Sequence, residues 1–284
     1  MNYSVLYESG THVLSAAGIS EAALDARLLL EFITGHDRTT LLADPETPVS
    51  DDKVREYERL IALRAEHVPL QHLTGTCDFM GIDLIVNEKV LIPRQDSECL
   101  VEEAMRYVPD GAYILDLCTG SGCLLLSLMH YRNGCRGVGV DISEDALIVA
   151  RENLRKLEAC GGLNGGSAIF LSGDLYDALE KDEKFDVMIS NPPYIRSDVI
   201  PTLMPEVRDH DPRIALDGGE DGLVFYRRIA EHASDHLAKE GMIFLEIGYD
   251  QAEDVVHILE DAGFRDIGVV KDLSGNDRVI TARN

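Results

Sequence analysis

The sequence contains no run of about eighteen uninterrupted apolar residues, so a helical membrane span is excluded. Its opening stretch, MNYSVLYESG, lacks the basic-then-apolar layout of a secretory signal, and the expected location is the cytoplasm. Cysteine is sparse and unpatterned. Cys77, Cys99, Cys118, Cys123, Cys135 and Cys160 form no CxxC pair and no zinc-type spacing, so neither a disulfide framework nor a metal site is expected. Positive charge is also scarce: 26 Lys and Arg stand against 51 Asp and Glu, a net charge of −25. No Lys/Arg-rich segment offsets this, and such a surface repels a phosphate backbone. Direct nucleic-acid binding is not expected, and the acidity is read as a solubility device.

What is present is a globular composition, 284 residues with 45% hydrophobic and 27% charged, enough for one large domain or two smaller ones. Residues 1–72 read as a small helical bundle. In SEAALDARLLLEFITG, Ser20 can cap, Leu24, Leu28 and Phe32 recur at i, i+4, i+8, and Gly35 stops the run. From about Ser50, Val54, Tyr57, Leu60 and Ile61 give a second helix one apolar face, up to Pro69. Residues 73–94 change character, with Gly75, Gly81 and the alternation of Ile82, Leu84 and Val86 predicting a β-hairpin connector. Over 95–284, seven apolar strands (YILDL, RGVGV, SAIFL, FDVMIS, GMIFLEI, FRDIGVV, RVITAR) alternate with amphipathic helices. That pattern predicts an α/β, doubly wound, mostly parallel sheet with ligands at the carboxyl ends of its strands. CGGLNGG, residues 160–166, reads as a flexible surface loop.

Three successive strand ends offer groups for one ligand. After YILDL comes CTGSG, so Cys118, Thr119, Gly120, Ser121 and Gly122 form a strand-to-helix turn where backbone N–H groups can approach a negative group. The second strand ends in Asp141, placed to accept the two hydroxyls of a ribose. The third is followed by Asp174, which can accept from an adenine amino group while Leu175 packs the ring. Each acid alone could be a helix cap. A dinucleotide would call for G-x-G-x-x-G, whose third glycine is missing here, so a single adenosine with an amino-acid tail, S-adenosylmethionine, fits better.

The fourth strand, FDVMIS, runs into Asn191, Pro192, Pro193 and Tyr194. Consecutive prolines fix φ and hold the preceding residue extended, so the carbonyls of this loop point in preset directions. The acceptor this suits is a planar NH₂ group. Its lone pair is delocalised, so the useful help is positional: the Asn191 side-chain oxygen and the Pro192 carbonyl each accept one N–H and aim the nitrogen at a methyl donor. Tyr194 can cover the flat group by stacking.

These stretches, together with EAALDARLLLEFITG, PLQHLTG, FMGIDLIVNEKVLIPR, LDLCTGSG, GVDIS, SNPPYI, PEVRDHDPRIALDGGEDGLVFYRRI, LEIGYDQ and KDLSGNDRVI, resemble the N5-glutamine methyltransferases that modify peptide chain release factors. The resemblance covers nearly the whole chain. It implies a Rossmann-like methyltransferase domain, S-adenosylmethionine as cofactor, and methyl transfer to the glutamine of the Gly-Gly-Gln motif in bacterial class 1 release factors, docked by the helical domain. It also implies cofactor contacts at Cys118–Gly122, Asp141, Asp174, Leu175 and Asn191, and glutamine binding and catalysis by Asn191–Tyr194. The chain departs from the family in PRQDSE, where Gln95 replaces a proline on a stretch read as a loop, and at Leu175, where some members carry an aromatic residue.

Two other readings stand beside this one. An adenine-N6 methyltransferase on DNA or RNA could use the same loop on a flipped base, although residues 1–80, with 6 basic and 13 acidic residues, offer no recognition segment. A cofactor-binding module without catalysis would have no need of an intact Asn191–Tyr194. His232 and His236, four apart, are read as surface or interface histidines, and LDGGEDGL as a turn capping the helix that follows.

Overall fold

A computed structural model describes residues 1–284 as two compact units, Met1–Thr76 with Met204–His210, and Cys77–Leu203 with Asp211–Asn284. The first unit holds α1 (Tyr3–Ala16), α2 (Ala22–Thr34), α3 (Arg38–Ala43), α4 (Asp51–Ala65) and α5 (Leu70–Thr74). Asn2 caps α1 by accepting from the Val5 N–H, and Gly35, at φ 73°, closes α2. Its core is Leu6, Leu14, Leu29, Leu30, Tyr57 and Leu60.

The packed face of α2 is not the row the apolar spacing picks out. Ala22, Asp25, Ala26, Leu29 and Leu30 are buried, whereas Leu24 and Phe32 are 37% and 50% exposed. The reason is electrostatic. Asp25 points inward because Arg64 on α4 meets it at 2.7 Å, each side chain only 9% exposed, so a charged residue sits in the middle of the inner face and breaks the apolar pattern. Arg64 and His67 also reach Glu206, at 3.2 and 3.0 Å. Gly10 on α1 lies against the Tyr57 ring where no Cβ would fit, and Tyr57 donates its hydroxyl to the Ala26 carbonyl oxygen at 3.1 Å.

The second unit opens with a two-stranded hairpin, β1 (Thr76–Phe79) and β2 (Ile82–Ile85), then α6 (Gln95–Met105). The stretch read as a loop at PRQDSE is therefore the start of a helix, with Arg94 as N-cap and Gln95 at the first helical position. A proline is accepted there because that N–H has no intrahelical partner, and Gln95 takes up the first helical position in its place.

The sheet is built from β3 (Tyr113–Leu117), β4 (Arg136–Asp141), β5 (Ser167–Ser172), β6 (Phe185–Ser190), β7 (Leu237–Glu246), β8 (Arg265–Lys271) and β9 (Asp277–Arg283), interleaved with α7 (Cys123–Tyr131), α8 (Glu144–Ala159), the short α10 (Arg213–Leu216), α11 (Val224–His236) and α12 (Ala252–Asp261), while the short α9 (Pro205–Arg208) belongs to the first unit. The strand order is β5-β4-β3-β6-β7-β9-β8. The first five are parallel, and β9 runs antiparallel between β7 and β8. Side chains alternate between two cores: Ile114, Val187 and Ile189 pack with α6, α7 and α8, while Leu115, Leu117, Val138, Val140 and Met188 pack with α11 and α12. Burial on both faces explains the continuous apolar strands. Chain order reverses at β3, flanked by β4 on one side and β6 on the other, which opens a crevice at their carboxyl ends.

Two expectations change here. Residues 160–166 are surface turns as expected, with Cys160, Gly161, Asn164 and Gly165 exposed, but they are anchored rather than loose: Leu163 is buried in the core, His130 Nδ1 lies 2.8 Å from the Gly162 carbonyl oxygen, and a Cβ on Gly166 would stand 2.5 Å from the Cys135 carbonyl oxygen. His236 is buried, its ring stacked on Tyr176 with centroids 5.0 Å apart, while His232 stays exposed. All six cysteines are free, and no cluster of His, Cys, Asp or Glu could hold a metal ion. No helix is long and apolar enough to cross a membrane.

Candidate active site

A cleft with about 930 Å³ of empty space, counting its open mouth, lies at the carboxyl ends of β3, β4, β5 and β6. Cys118, Thr119, Gly120, Ser121, Asp141, Asp174, Leu175, Asn191 and Pro193 line it together. Gly122, Pro192 and Tyr194 do not form its wall. The loop after β3 has Cys118 at φ 57°, Gly120 at 54° and Gly122 at 80°, three left-handed residues in five, and it is held internally: the Thr119 N–H donates to the Val140 carbonyl oxygen at 3.0 Å and the Gly122 N–H to the Thr119 carbonyl oxygen at 2.8 Å. Leu175, at φ 55°, is the other strained residue on the wall.

Asp141 braces this loop as well as facing the cleft. Its Oδ2 accepts from the Gly120 N–H and its Oδ1 from the Ser143 N–H, both at 2.9 Å, leaving one lone pair on each oxygen for a ligand's hydroxyls. Burial holds its carboxyl above the usual carboxylate range despite those donors. Beneath the loop, Asp116 is fully buried. Thr119 Oγ1 donates to its Oδ2 at 2.6 Å, Oδ1 has no partner, and burial pushes the carboxyl up to about 7. The Ser121 hydroxyl is likewise buried without a partner. Asp174 is held by Arg228 at 2.9 Å.

Room beside the loop depends on a glycine the sequence reading passed over. At Gly139 in β4 a Cβ would meet the Phe170 ring at 2.5 Å and Thr119 Oγ1 at 2.9 Å. These groups fit S-adenosylmethionine: paired acceptors at Asp141 for a ribose, Asp174 and Leu175 for a purine, and the orphaned Asp116 Oδ1 and Ser121 Oγ at the glycine loop for an amino-acid tail.

On the β6 side, Asn191 Nδ2 donates to Ser97 Oγ at 3.3 Å, and Asn191 Oδ1 is uncommitted. Tyr194 is anchored rather than free: its hydroxyl donates to Glu246 Oε1 at 3.3 Å and its carbonyl accepts from Gln251 Nε2 at 3.0 Å. The LDGGEDGL segment, expected only as a turn before α11, is the buttress of this loop. Ile195 N–H donates to the Leu216 carbonyl at 3.0 Å, the Gly218 N–H donates to the Ile195 carbonyl at 2.8 Å, and a Cβ on Gly218 would stand 2.8 Å from the Pro193 carbonyl oxygen. Ser97, Gly218, Glu246 and Gln251 were missed because nothing in their own spacing marks them; Gly218, Glu246 and Gln251 lie in stretches matching the family, whereas Ser97 lies in PRQDSE, where the chain departs from it. Arg94, on the cleft wall, meets the buried Asp211 carboxylate at 2.6 Å.

The chain is similar to known proteins over most of its length. A family model described as "PrmC N-terminal domain" matches residues 6–75, and one described as "Methyltransferase small domain" matches residues 95–271. A release factor glutamine methyltransferase of Caulobacter vibrioides is 42% identical over 269 residues, 94% of this chain and 91% of that one. One of Clostridium acetobutylicum is 41% identical over 262 residues, 91% and 90% of the two chains. A solved methyltransferase from Pyrococcus furiosus superposes with a TM-score of 0.52 at 20% identity, covering 72% of this chain and 89% of that one, a likeness of fold.

Proposed function

Since the chain belongs to the release factor glutamine methyltransferases, we propose that its partner is a bacterial class 1 release factor, whose Gly-Gly-Gln glutamine it methylates on the side-chain nitrogen. It is an S-adenosylmethionine-dependent enzyme with a Rossmann-like catalytic fold. The observation that carries the reading is the shared cleft: the acceptor-side residues Asn191 and Pro193 line the same cavity as Thr119, Gly120, Asp141 and Asp174. The −25 net charge supports a protein acceptor over a nucleic acid.

When bound, S-adenosylmethionine supplies a methyl group on a cationic sulfur. The chain's own work is binding and aiming. Asp141 takes the ribose, Asp174 and Leu175 the adenine, and Cys118–Gly122 the tail. Asn191 Oδ1 and the Pro192 carbonyl oxygen each accept one N–H of the glutamine carboxamide, so the nitrogen is presented along one line. The same two oxygens stabilise the positive charge that grows on nitrogen during transfer, and the surplus proton then leaves to solvent or a neighbouring carbonyl. Tyr194, tied at both hydroxyl and carbonyl, keeps this loop in place.

The test is transfer of labelled methyl to a Gly-Gly-Gln release factor, its Gln-to-Ala variant and duplex DNA in parallel, with the labelled peptide identified by mass spectrometry. Label on the wild-type factor, lost in the variant, is expected; label on DNA alone replaces this reading with an adenine-N6 methyltransferase.

A further inference from the structure

Glu246, the last residue of β7, is almost wholly buried, and its Oε2 makes no hydrogen bond. Ser97, in the first turn of α6, is buried beside it, where its hydroxyl favours the charged form of the carboxylate. Ser97 Oγ already accepts from Asn191 Nδ2 at 3.3 Å, so its own hydrogen is the one left to give. An unspent donor therefore lies next to an unspent acceptor. The Ser97 hydrogen, turned to Glu246, would complete a directed chain, Asn191 Nδ2–H to Ser97 Oγ–H to the Glu246 carboxylate, with the Tyr194 hydroxyl donating into the other oxygen at 3.3 Å.

We infer that Glu246 is a positioning residue which, through Ser97, fixes which end of the Asn191 amide is offered to the acceptor. A carboxylate accepts and cannot donate, so every hydrogen in the chain points toward it and Asn191 must spend its NH₂ on Ser97. That leaves Oδ1, the only end able to accept from a substrate NH₂. A protonated Glu246 can donate to Ser97, the Ser97 hydrogen then turns toward Asn191, and the amide flips to present its own NH₂ to the substrate's. Two donors then face each other and the acceptor is lost.

The switch falls in an accessible range, since burial pushes the Glu246 carboxyl up to about 7. The groups facing it are Tyr194 beyond β6, Asp96, Ser97 and Cys99 on α6, Cys123 at the start of α7, Tyr226 on α11, and Arg278 on β9, itself paired with Asp272 at 3.1 Å. Ser97, Arg278 and Tyr194 favour the anion and Asp96 opposes it. Activity toward the acceptor should therefore fall as pH drops through about 7, and cofactor affinity should not follow.

This inference rests on the glutamine-methylation reading, and the experiment separates the two. kcat/KM for the release factor is measured from pH 5.5 to 8.5 for the wild type, Glu246→Gln, Ser97→Ala and the double variant, with the S-adenosylmethionine Kd measured alongside. Each single variant should lose about tenfold at pH 8, the worth of one hydrogen bond to a charged acceptor. Both should lose the acid limb, and the double variant should lose no more than either. An acid limb that survives in Glu246→Gln, losses that multiply in the double variant, or a parallel loss of cofactor affinity overturns the assignment. If the wild type labels DNA instead of the factor, the substrate reading falls, and the same comparison on the DNA amine decides for or against Glu246.

Discussion

The side-chain amide of Gln251 holds the backbone of Tyr194: Nε2 donates to the Tyr194 carbonyl oxygen at 3.0 Å and to the Gly222 carbonyl oxygen at 3.2 Å, while Oε1 accepts from the Gly248 N–H at 2.9 Å. One buried amide thus ties together the acceptor loop after β6, the buttress before α11 and the turn after β7. Leucine fills the space and removes all three bonds. Gln251→Leu should lower kcat for glutamine methylation roughly ten- to a hundredfold, the cost of orphaning buried carbonyls. Cofactor Kd should stay within about twofold, since no Gln251 bond reaches the Asp141 side of the cleft; steady-state kinetics with isothermal titration checks both.

Asp116 makes the cofactor-free protein sensitive to alkali. Its carboxyl, raised from 3.8 to about 7, takes up a proton in the folded state that the unfolded chain has released. The stabilising contribution is full below about 4, the unfolded range, and is lost as pH rises through about 7. Asp116→Asn should melt at or above the wild-type temperature at pH 8, with the gap closing toward pH 5. The same variant should bind S-adenosylmethionine more weakly at pH 8. A thermal-melt series with and without cofactor reads both effects.

Gly139→Ala tests the space beside the cofactor loop. Its Cβ would press on Phe170 and Thr119 Oγ1, and Thr119 is the residue that donates to Asp116. The expected outcome is a stability loss of about 1–3 kcal/mol from overpacking, with weaker cofactor binding and an unchanged acceptor KM at saturating cofactor. Denaturant titration and ligand binding separate the two.

Within the first unit, Arg64→Met should cost about 3–5 kcal/mol because it leaves the buried Asp25 carboxyl without its partner. Replacing both, Asp25→Leu with Arg64→Met, should restore most of that loss. Urea unfolding of the four proteins in the cycle gives the coupling directly.

The sheet was legible because burial on both faces forces continuous apolar strands such as FDVMIS, and helix–strand alternation leaves little choice but a doubly wound order. The strand-end residues on the cleft wall were legible for a related reason: glycine turns and acids directly after strands are local features. Two kinds of feature were hidden. The inner face of α2 was misread because Asp25 is buried by a partner 39 positions away, which no window on one helix contains. The supports of the acceptor loop, Ser97, Gly218, Glu246 and Gln251, come from three different stretches, and each looks ordinary until the fold brings it to Asn191 or Tyr194. Residues 160–166 were misread as flexible because glycine permits close packing as readily as disorder, and only the neighbours Cys135 and His130 decide between them.

The position of β9 between β7 and β8 has a consequence for biosynthesis. On a ribosome, β7 emerges some thirty residues before β9, and meanwhile Met242–Glu246 offers an apolar strand edge with nothing to pair against on that side. Arg278, the cation beside Glu246, arrives with the same late strand. A nascent chain halted anywhere before Asp277 therefore lacks both the seal on its sheet and the counter-charge behind its acceptor loop. Such fragments should be sticky and inactive, so an interrupted translation yields no partly working methyltransferase.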